Sequence, residues 1–143
     1  MSSRPGRTQS INVFELDKKL RFIDLPGYGF AKAPKHVREQ WSKMINGYLF
    51  DRPQLKLIVV LVDSRHSAQP LDVQMLDSLQ GFDLPYQIVA TKYDTLKRSK
   101  AKGQLIKLGQ GLGASLKEIV PFSSVTGQGV DELWSVISTA SKQ

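Results

Sequence analysis

The sequence of 143 residues contains no cysteine and only two histidines. Disulfide frameworks and thiolate metal sites are therefore excluded, and a metal site built from several histidines is disfavoured. Long apolar runs are also missing, because the longest, at residues 57–62, is far shorter than the roughly 20 residues that span a bilayer. The first ten residues carry charges and turn formers but no apolar signal-peptide core. These absences predict a protein of the reducing cytoplasm with no membrane segment.

Acidic residues are outnumbered, since 13 Asp and Glu stand against 20 Lys and Arg, which gives a formal charge of +7 and a pI near 9.7. An anionic partner such as RNA fits this balance. With 41% apolar residues in 143 positions, we expect a single domain over residues 1–143 with one core.

Five short apolar runs bounded by Gly, Pro or Asp predict β-strands at residues 11–16, 20–24, 56–63, 86–91 and 118–122. The last three are apolar on both faces, which is typical of parallel strands covered by helices. Helical periodicity follows Pro34 and Pro70 and recurs at residues 98–113, despite four glycines, and at residues 130–140. This alternation predicts a doubly wound α/β fold, in which ligands bind outside the carboxyl ends of the strands.

The loop after the second strand reads Asp24-Leu25-Pro26-Gly27, the pattern DxxG. In nucleotide hydrolases such a carboxylate holds a magnesium-bound water, while the glycine amide approaches a terminal phosphate. A strand-end Asp before Pro-Gly is also a common turn. This motif alone therefore leaves both interpretations open.

Two further loops carry patterns that suit recognition of a base. The loop after the fourth strand reads Thr91-Lys92-Tyr93-Asp94, the pattern TKxD. An ionised Asp94 can accept two hydrogen bonds from the adjacent donors on the edge of guanine, whereas adenine has no matching pair of donors and would leave the carboxylate unpaired. The Lys92 stem can lie along the base, and the Thr91 hydroxyl can join this loop to its neighbours. Phe122-Ser123-Ser124 opens an SSxTG turn whose amides can reach the base oxygen. Each loop alone is an ordinary turn, but all three motifs follow predicted strands.

In this chain order the motifs resemble the third, fourth and fifth signatures of Ras-like, translation-factor-class GTPases. The strings GRTQSINVFEL, RFIDLPGYGFAK, LVDSRH, ATKYD and PFSSVTGQGVDELW are similar to the EngB family of bacterial GTP-binding proteins over nearly the whole chain. The resemblance implies a Ras-like P-loop GTPase fold with a mostly parallel sheet, GTP or GDP with Mg²⁺ as ligands, and a role in assembling the large ribosomal subunit. That subunit or its RNA is then the expected partner, and in the family the role is linked to cell division and septation.

The same resemblance assigns the site residues. Gly6, Arg7, Thr8, Gln9 and Ser10 would form the first switch, with the Thr8 hydroxyl as a magnesium ligand. Asp24, Leu25, Pro26 and Gly27 would form the second switch, with Asp24 holding Mg²⁺ through water. Guanine would be read by Thr91, Lys92, Tyr93 and Asp94, and its pocket completed by Phe122, Ser123 and Ser124. No catalytic residue is assigned, because Tyr28 stands where Ras-like proteins carry the glutamine that orients water, which predicts slow hydrolysis.

The family's first signature, GxxxxGK[ST], does not occur in the 143 residues. The first, central strand, the P-loop and the first helix are therefore expected to be absent from this chain, which predicts weak or undetectable nucleotide affinity. The alternative is a nucleotide-independent RNA or ribosome-binding module that has lost GTP turnover. Retention of TKxD and SSxTG favours the GTP-binding interpretation, because a pure RNA binder has no need of them.

Three other features receive structural interpretations. Asp63, Arg65 and His66 follow the third strand without the sequence context of a nucleophilic Ser or Cys, so a turn or cap is favoured over a catalytic Asp-His pair. Trp134 lies on an apolar helical stripe and is predicted to pack in the core, as are Trp41 and Tyr48. The basic residues between Lys92 and Lys107 form either a solvated face or a contact for a polyanion.

Overall fold

The computed structural model describes residues 12–24 and 53–142, together with Glu39 and Lys43, both of which are helical. The chain divides into two compact units, Met1–Gln54 and Leu55–Gln143. The predicted switch residues 6–10 and 25–27 lie outside the described residues. So do Trp41, Tyr48 and most of the helix predicted after Pro34.

Within the first unit, strands β1 (Asn12–Leu16) and β2 (Leu20–Asp24) form an antiparallel hairpin. The turn between them places Asp17 and Lys18 at φ of 52° and 58°, and the Lys19 N–H donates to the Leu16 carbonyl at 3.1 Å. Two consecutive positive φ angles give a type I′ turn, whose twist matches that of the strands it joins. Both predicted strands are confirmed.

The second unit alternates strands and helices. Its elements are β3 (Ile58–Asp63), α1 (Pro70–Gly81), β4 (Tyr86–Thr91), α2 (Arg98–Leu112), β5 (Ile119–Pro121) and α3 (Val130–Ser141). The three strands form one parallel sheet in the order β3-β4-β5, with Asp63 opposite Thr91 and Ala90 opposite Pro121. The prediction that these strands run parallel is confirmed. None of the helices in the described ranges is long and apolar enough to cross a membrane.

The core of this unit lies between the sheet and its helices. Its most buried members come from β4 and from the inward faces of α1 and α2, and include Leu76, Leu79, Ile88, Val89 and Leu108. Two predictions of burial are wrong, because Leu61 on β3 is 59% exposed and Trp134 on α3 is 41% exposed. Apolar periodicity shows which side of an element is apolar, but not how completely its neighbours cover that side.

Helix α2 forms in spite of its glycines because two of them permit close packing. A Cβ on Gly109 would lie 2.6 Å from the Ala114 carbonyl oxygen, and one on Gly111 would lie 2.8 Å from the Ala68 Cβ. These two glycines lower the helix propensity of α2, but they allow the segments at Ala114 and Ala68 to pack closely against it. Strand β5 is shorter than predicted because Glu118 belongs to a 3₁₀ turn, in which its carboxylate accepts the Ser115 N–H at 3.0 Å.

Candidate functional site

The loops at the carboxyl ends of β3, β4 and β5 are joined by backbone hydrogen bonds. The Ser64 N–H donates to the Thr91 carbonyl at 3.0 Å, which continues the pairing of β3 with β4 by one residue. The Phe122 N–H donates to the Ala90 carbonyl at 2.8 Å, and the Tyr93 N–H donates to the Phe122 carbonyl at 3.1 Å. The predicted base-reading loops after β4 and β5 are thereby held side by side.

Local hydrogen bonds also fix the TKxD loop itself. The Thr91 hydroxyl donates to the Val62 carbonyl at 3.2 Å, so it joins this loop to β3 as the sequence predicts. Lys92 adopts φ 58°, and its carbonyl accepts both the Thr95 N–H at 3.1 Å and the Thr95 hydroxyl at 2.6 Å. A left-handed conformation is unfavourable for lysine, and the two hydrogen bonds from Thr95 stabilise Lys92 in that conformation. The short 3₁₀ turn Tyr93–Thr95 follows and presents Asp94 at the surface.

Ser123 holds Asp94 from beneath. Its side chain is completely buried, and its hydroxyl donates to Asp94 Oδ1 at 2.8 Å. Ser123 Oγ also accepts the N–H groups of Val125 and Thr126, each at 3.1 Å. Ser124, the next residue, is exposed. Of the two serines in the motif, the first is therefore the one that orients the carboxylate.

The Asp94 carboxylate keeps acceptor capacity after this contact. An ionised carboxylate offers about four lone-pair positions, and Ser123 occupies one of them. Because Asp94 is exposed, the other positions can accept two parallel donors, such as the ring N–H and exocyclic amine of guanine. Adenine presents no such pair on that edge, so it would leave the carboxylate unpaired.

The turn after β5 is closed tightly beneath these residues. The Ser123 N–H donates to the Gln128 carbonyl at 3.0 Å, and the Gly127 N–H donates to the Ser123 carbonyl at 2.9 Å. Gly129, the residue before α3, has φ 84°, and a Cβ there would collide with the Pro121 carbonyl oxygen. This turn therefore requires glycine at position 129, both for its backbone angle and for space.

A charged cluster after β3 lies beside the TKxD loop. Asp63 Oδ1 accepts the Arg65 backbone N–H at 2.9 Å and Arg65 Nε at 3.0 Å, and Asp63 Oδ2 accepts the guanidinium at 2.7 Å. The Arg65 side-chain hydrogen bond is the largest cause that lowers the pKa of Asp63 to about 2, assisted by the backbone bond and the charges of Arg65 and Lys92 and opposed by burial. Asp63 Oδ2 also lies 3.7 Å from Lys92 Nζ and 3.8 Å from His66 Nε2.

The interpretation of Asp63 as a turn residue is therefore confirmed, since its carboxylate caps the Arg65 N–H. Its contact with Lys92 went unpredicted, because the two residues belong to different strand-end loops. The register that pairs Asp63 with Thr91 brings them together. The sequence did not predict a role for Gln104 either, because Gln104 is far from Ser64 along the chain. Its side-chain amide donates from α2 to the Ser64 carbonyl at 3.2 Å.

Of the two predicted magnesium ligands, the structure describes Asp24. It is exposed at the end of β2, and a carboxylate there has the hard oxygen chemistry that Mg²⁺ prefers. Thr8 and Gly27 lie outside the described residues. Within the described part, no group of three or more His, Cys, Asp or Glu could hold a metal ion by itself.

Comparison with known proteins agrees with this geometry. The family model described as "50S ribosome-binding GTPase" matches residues 1–92. A "Probable GTP-binding protein EngB" from Natranaerobius thermophilus is 42% identical over 137 residues, covering 95% of this chain and 71% of that protein. One of the same description from Streptococcus pyogenes serotype M5 is 43% identical over 137 residues, covering 95% of this chain and 69% of that protein.

Solved structures agree as well. A crystal structure of a probable GTP-binding protein EngB superposes with a TM-score of 0.77 at 25% identity, over 98% of this chain and 84% of that one. Era in complex with MgGDPNP and nucleotides 1506–1542 of 16S ribosomal RNA gives a TM-score of 0.66 at 18% identity, over 96% of this chain and 46% of that one, which supports the fold alone.

The parallel sheet, the family model and these structural neighbours define the class as a Ras-like P-loop GTPase fold. Within that class, the sequence relatives narrow the assignment. The chain belongs to the EngB family of GTP-binding proteins.

Proposed function

We propose that this protein reads guanine through Asp94 and Lys92, hydrolyses GTP slowly with Mg²⁺, and acts in assembly of the large ribosomal subunit. The observation that carries guanine recognition is the bond from buried Ser123 to exposed Asp94 at 2.8 Å. It holds the carboxylate at the surface before any ligand binds, so less ordering is needed on binding. Thr91, Tyr93 and Phe122 support this site through the hydrogen bonds that join their loops.

On the phosphate side, the residues are those that the family resemblance assigns. The Thr8 hydroxyl and Asp24, the latter through water, would hold Mg²⁺, and the Gly27 amide would donate to the terminal phosphate. Bound Mg²⁺ supplies charge neutralisation for the phosphates. Tyr28 has no side-chain amide with which to orient water, so we expect slow intrinsic turnover that a partner accelerates.

Base selectivity is tested with Asp94→Asn. An amide replaces one acceptor with a donor, so guanine loses a charge-assisted hydrogen bond, whereas xanthine, with an oxygen at that position, gains a partner. We expect the ratio of GDP to XDP affinity to fall by about 10- to 100-fold, since one such bond contributes about 1.5–3 kcal/mol. The measurement is ¹⁵N chemical-shift titration with GDP, XDP and ADP, which reports weak as well as tight binding.

Asp77→Asn is the matched control, because Asp77 is exposed on α1 and the change in charge is the same. It should leave the ratio unchanged. The assignment is wrong if the unmodified protein binds ADP as well as GDP, or if Asp94→Asn leaves the ratio of GDP to XDP affinity at its original value.

The proposed ribosomal partner is supported by the surface of α2. This helix has no acidic residue, and its exposed cations are Arg98, Lys100, Lys102 and Lys107, preceded by Lys97. Positive charge in a first helical turn opposes the helix dipole, so helix stability does not explain this pattern. Attraction to a phosphate backbone does explain it. The family model's description names the 50S ribosome, whose RNA carries the negative charge that this basic surface would attract.

Co-sedimentation with purified 50S subunits over a range of salt tests this partner. Binding should fall steeply with salt, and a variant with Arg98, Lys100 and Lys102 changed to Gln should show a shallower slope, by about 0.7–0.9 for every phosphate that the variant no longer neutralises. Lys142→Gln, in the exposed C-terminal residues, is the control. Binding only to the small subunit, or binding that salt does not weaken, would contradict the proposal.

The nucleotide-independent module is the competing function, and the same assay separates the two. If GDP and a non-hydrolysable GTP analogue change 50S binding differently, and Asp94→Asn removes that difference, nucleotide state controls the interaction. If neither nucleotide nor Asp94→Asn has any effect, the module interpretation is correct. Either role would place the protein in the cytoplasm, and the link to cell division would follow from ribosome supply.

A further inference from the structure

Lys92 presents a problem that the TKxD motif alone does not solve. Its backbone is fixed by Thr95, but its side chain is 57% exposed and has four rotatable bonds. Laying such a chain beside a bound base costs rotamer entropy. The cost falls if another group already restricts the ammonium group near its bound position.

Asp63 is placed and held to supply that restriction. It pairs with Thr91 across β3 and β4, so its side chain leaves the sheet beside the residue that precedes Lys92. The Arg65 side chain and backbone bind both carboxylate oxygens at 2.7–3.0 Å. A carboxylate anchored on both oxygens is a fixed point of negative charge, and its Oδ2 lies 3.7 Å from Lys92 Nζ.

We infer that Asp63 is a positioning residue of the nucleotide site, which holds the Lys92 ammonium group so that the lysine stem lies beside a guanine bound at Asp94. The inference rests on the proposed function, since it assigns a role within the same site. Asp63 acts on the ligand only through Lys92. Because the ion pair is partly exposed, its effect on nucleotide affinity is about twofold to fivefold.

A double-mutant cycle separates this role from a general effect on folding. GDP affinity is measured by ¹⁵N chemical-shift titration for the unmodified protein, Asp63→Asn, Lys92→Met and the double variant. We expect Asp63→Asn to weaken GDP binding about twofold to fivefold when Lys92 is present, and to have no effect in the Lys92→Met background, where the ammonium group is gone. A purely structural Asp63 would lower affinity equally in both backgrounds, which would overturn the inference. Asp77→Asn controls for the loss of one negative charge.

A second measurement, made without nucleotide, tests whether Asp63 restricts the Lys92 side chain. NMR relaxation at the side-chain ε-carbon should show Lys92 more ordered than Lys100, an exposed lysine of α2. Asp63→Asn should release Lys92 to the mobility of Lys100. If Lys92 is as mobile as Lys100 in the unmodified protein, Asp63 does not position it and the inference fails, whether or not Asp63→Asn folds.

The two assays also distinguish this failure from failure of the proposed function. Equal binding of ADP and GDP by the unmodified protein would refute guanine recognition, while the relaxation comparison would still decide whether Asp63 holds Lys92. If GDP binds but Asp63→Asn has the same effect on affinity with and without Lys92, guanine recognition is retained and the role of Asp63 is refuted.

Discussion

Removing the Ser123 hydroxyl tests a contact that we expect to contribute both to stability and to the proposed recognition of guanine. Ser123→Ala deletes one hydrogen bond to the Asp94 carboxylate at 2.8 Å and the acceptor of two backbone amides at 3.1 Å. A bond to a charged group contributes about 1.5–3 kcal/mol when buried. We take the lower end because Asp94 is exposed. Val125 and Thr126 are exposed too, so their amides can regain water, and we add about 0.5 kcal/mol for each.

The expected loss is therefore about 2–3 kcal/mol of unfolding free energy. For a chain of 143 residues this corresponds to a fall in Tm of about 5–10 °C. Urea denaturation followed by circular dichroism measures the free energy, and a thermal scan measures the Tm. Ser124→Ala is the control for stability, because Ser124 is exposed beside it and its loss should cost less than about 0.5 kcal/mol.

Nucleotide binding supplies an independent readout of the same change. Without Ser123 the Asp94 side chain must be ordered by the ligand, and ordering one side chain costs about 0.5–1.5 kcal/mol, or about two- to tenfold in GDP affinity. The reasoning is refuted if Ser123→Ala is as stable as Ser124→Ala, because a buried hydroxyl that organises three partners cannot be removed without effect. It is refuted equally if GDP affinity is unchanged.

Two further predictions concern the turn after β5 and the cluster after β3. Gly129→Ala should destabilise by more than about 3 kcal/mol, since its Cβ meets the Pro121 carbonyl, whereas Gly127→Ala, with φ 83° but open space, should cost only about 1–2 kcal/mol in urea unfolding. The pKa of Asp63 is lowered to about 2 in the folded protein, so its stabilisation should be complete above about pH 5 and be lost as pH falls towards 2. The difference in unfolding free energy between the unmodified protein and Asp63→Asn should therefore shrink over that range, and a difference that grows would contradict it.

The elements of the second unit were predictable because their apolar periods are short and clearly bounded. The run YQIVAT becomes β4, and the Asp131-Glu132 pair near the start of α3 suits a helix N-terminus. The observed element boundaries differ from the predicted ones where side chains compete for backbone hydrogen bonds. Ser115 and Glu118 cap each other, so the expected start of β5 is a 3₁₀ turn instead.

The candidate site was predictable to the level of its loops, but not of its contacts. Motif spacing placed Asp94 and Ser123 at neighbouring strand ends, because parallel strands present their carboxyl ends at one edge of the sheet. It did not distinguish Ser123 from Ser124, since the decision depends on which hydroxyl turns into the core after β5. The Asp63–Lys92 contact depends on strand register, which the apolar pattern does not fix when a strand carries apolar residues on both faces.

The hydrogen bonds that hold Asp94 and Lys92 all originate between Val62 and Gln128, within one unit of the chain. The loops proposed to read the base are thus organised by their own sheet. If Asp94 reads the base as proposed, a substitution that releases Asp94 should alter the ratio of guanine to other nucleotide affinities, because Asp94 faces the edge on which the bases differ. A substitution at Thr8 or Asp24 would act on phosphate or Mg²⁺, which guanine, xanthine and adenine nucleotides share, so it should lower all three affinities and leave their ratios intact. The proposed function therefore predicts that base selectivity and phosphate affinity can be changed separately.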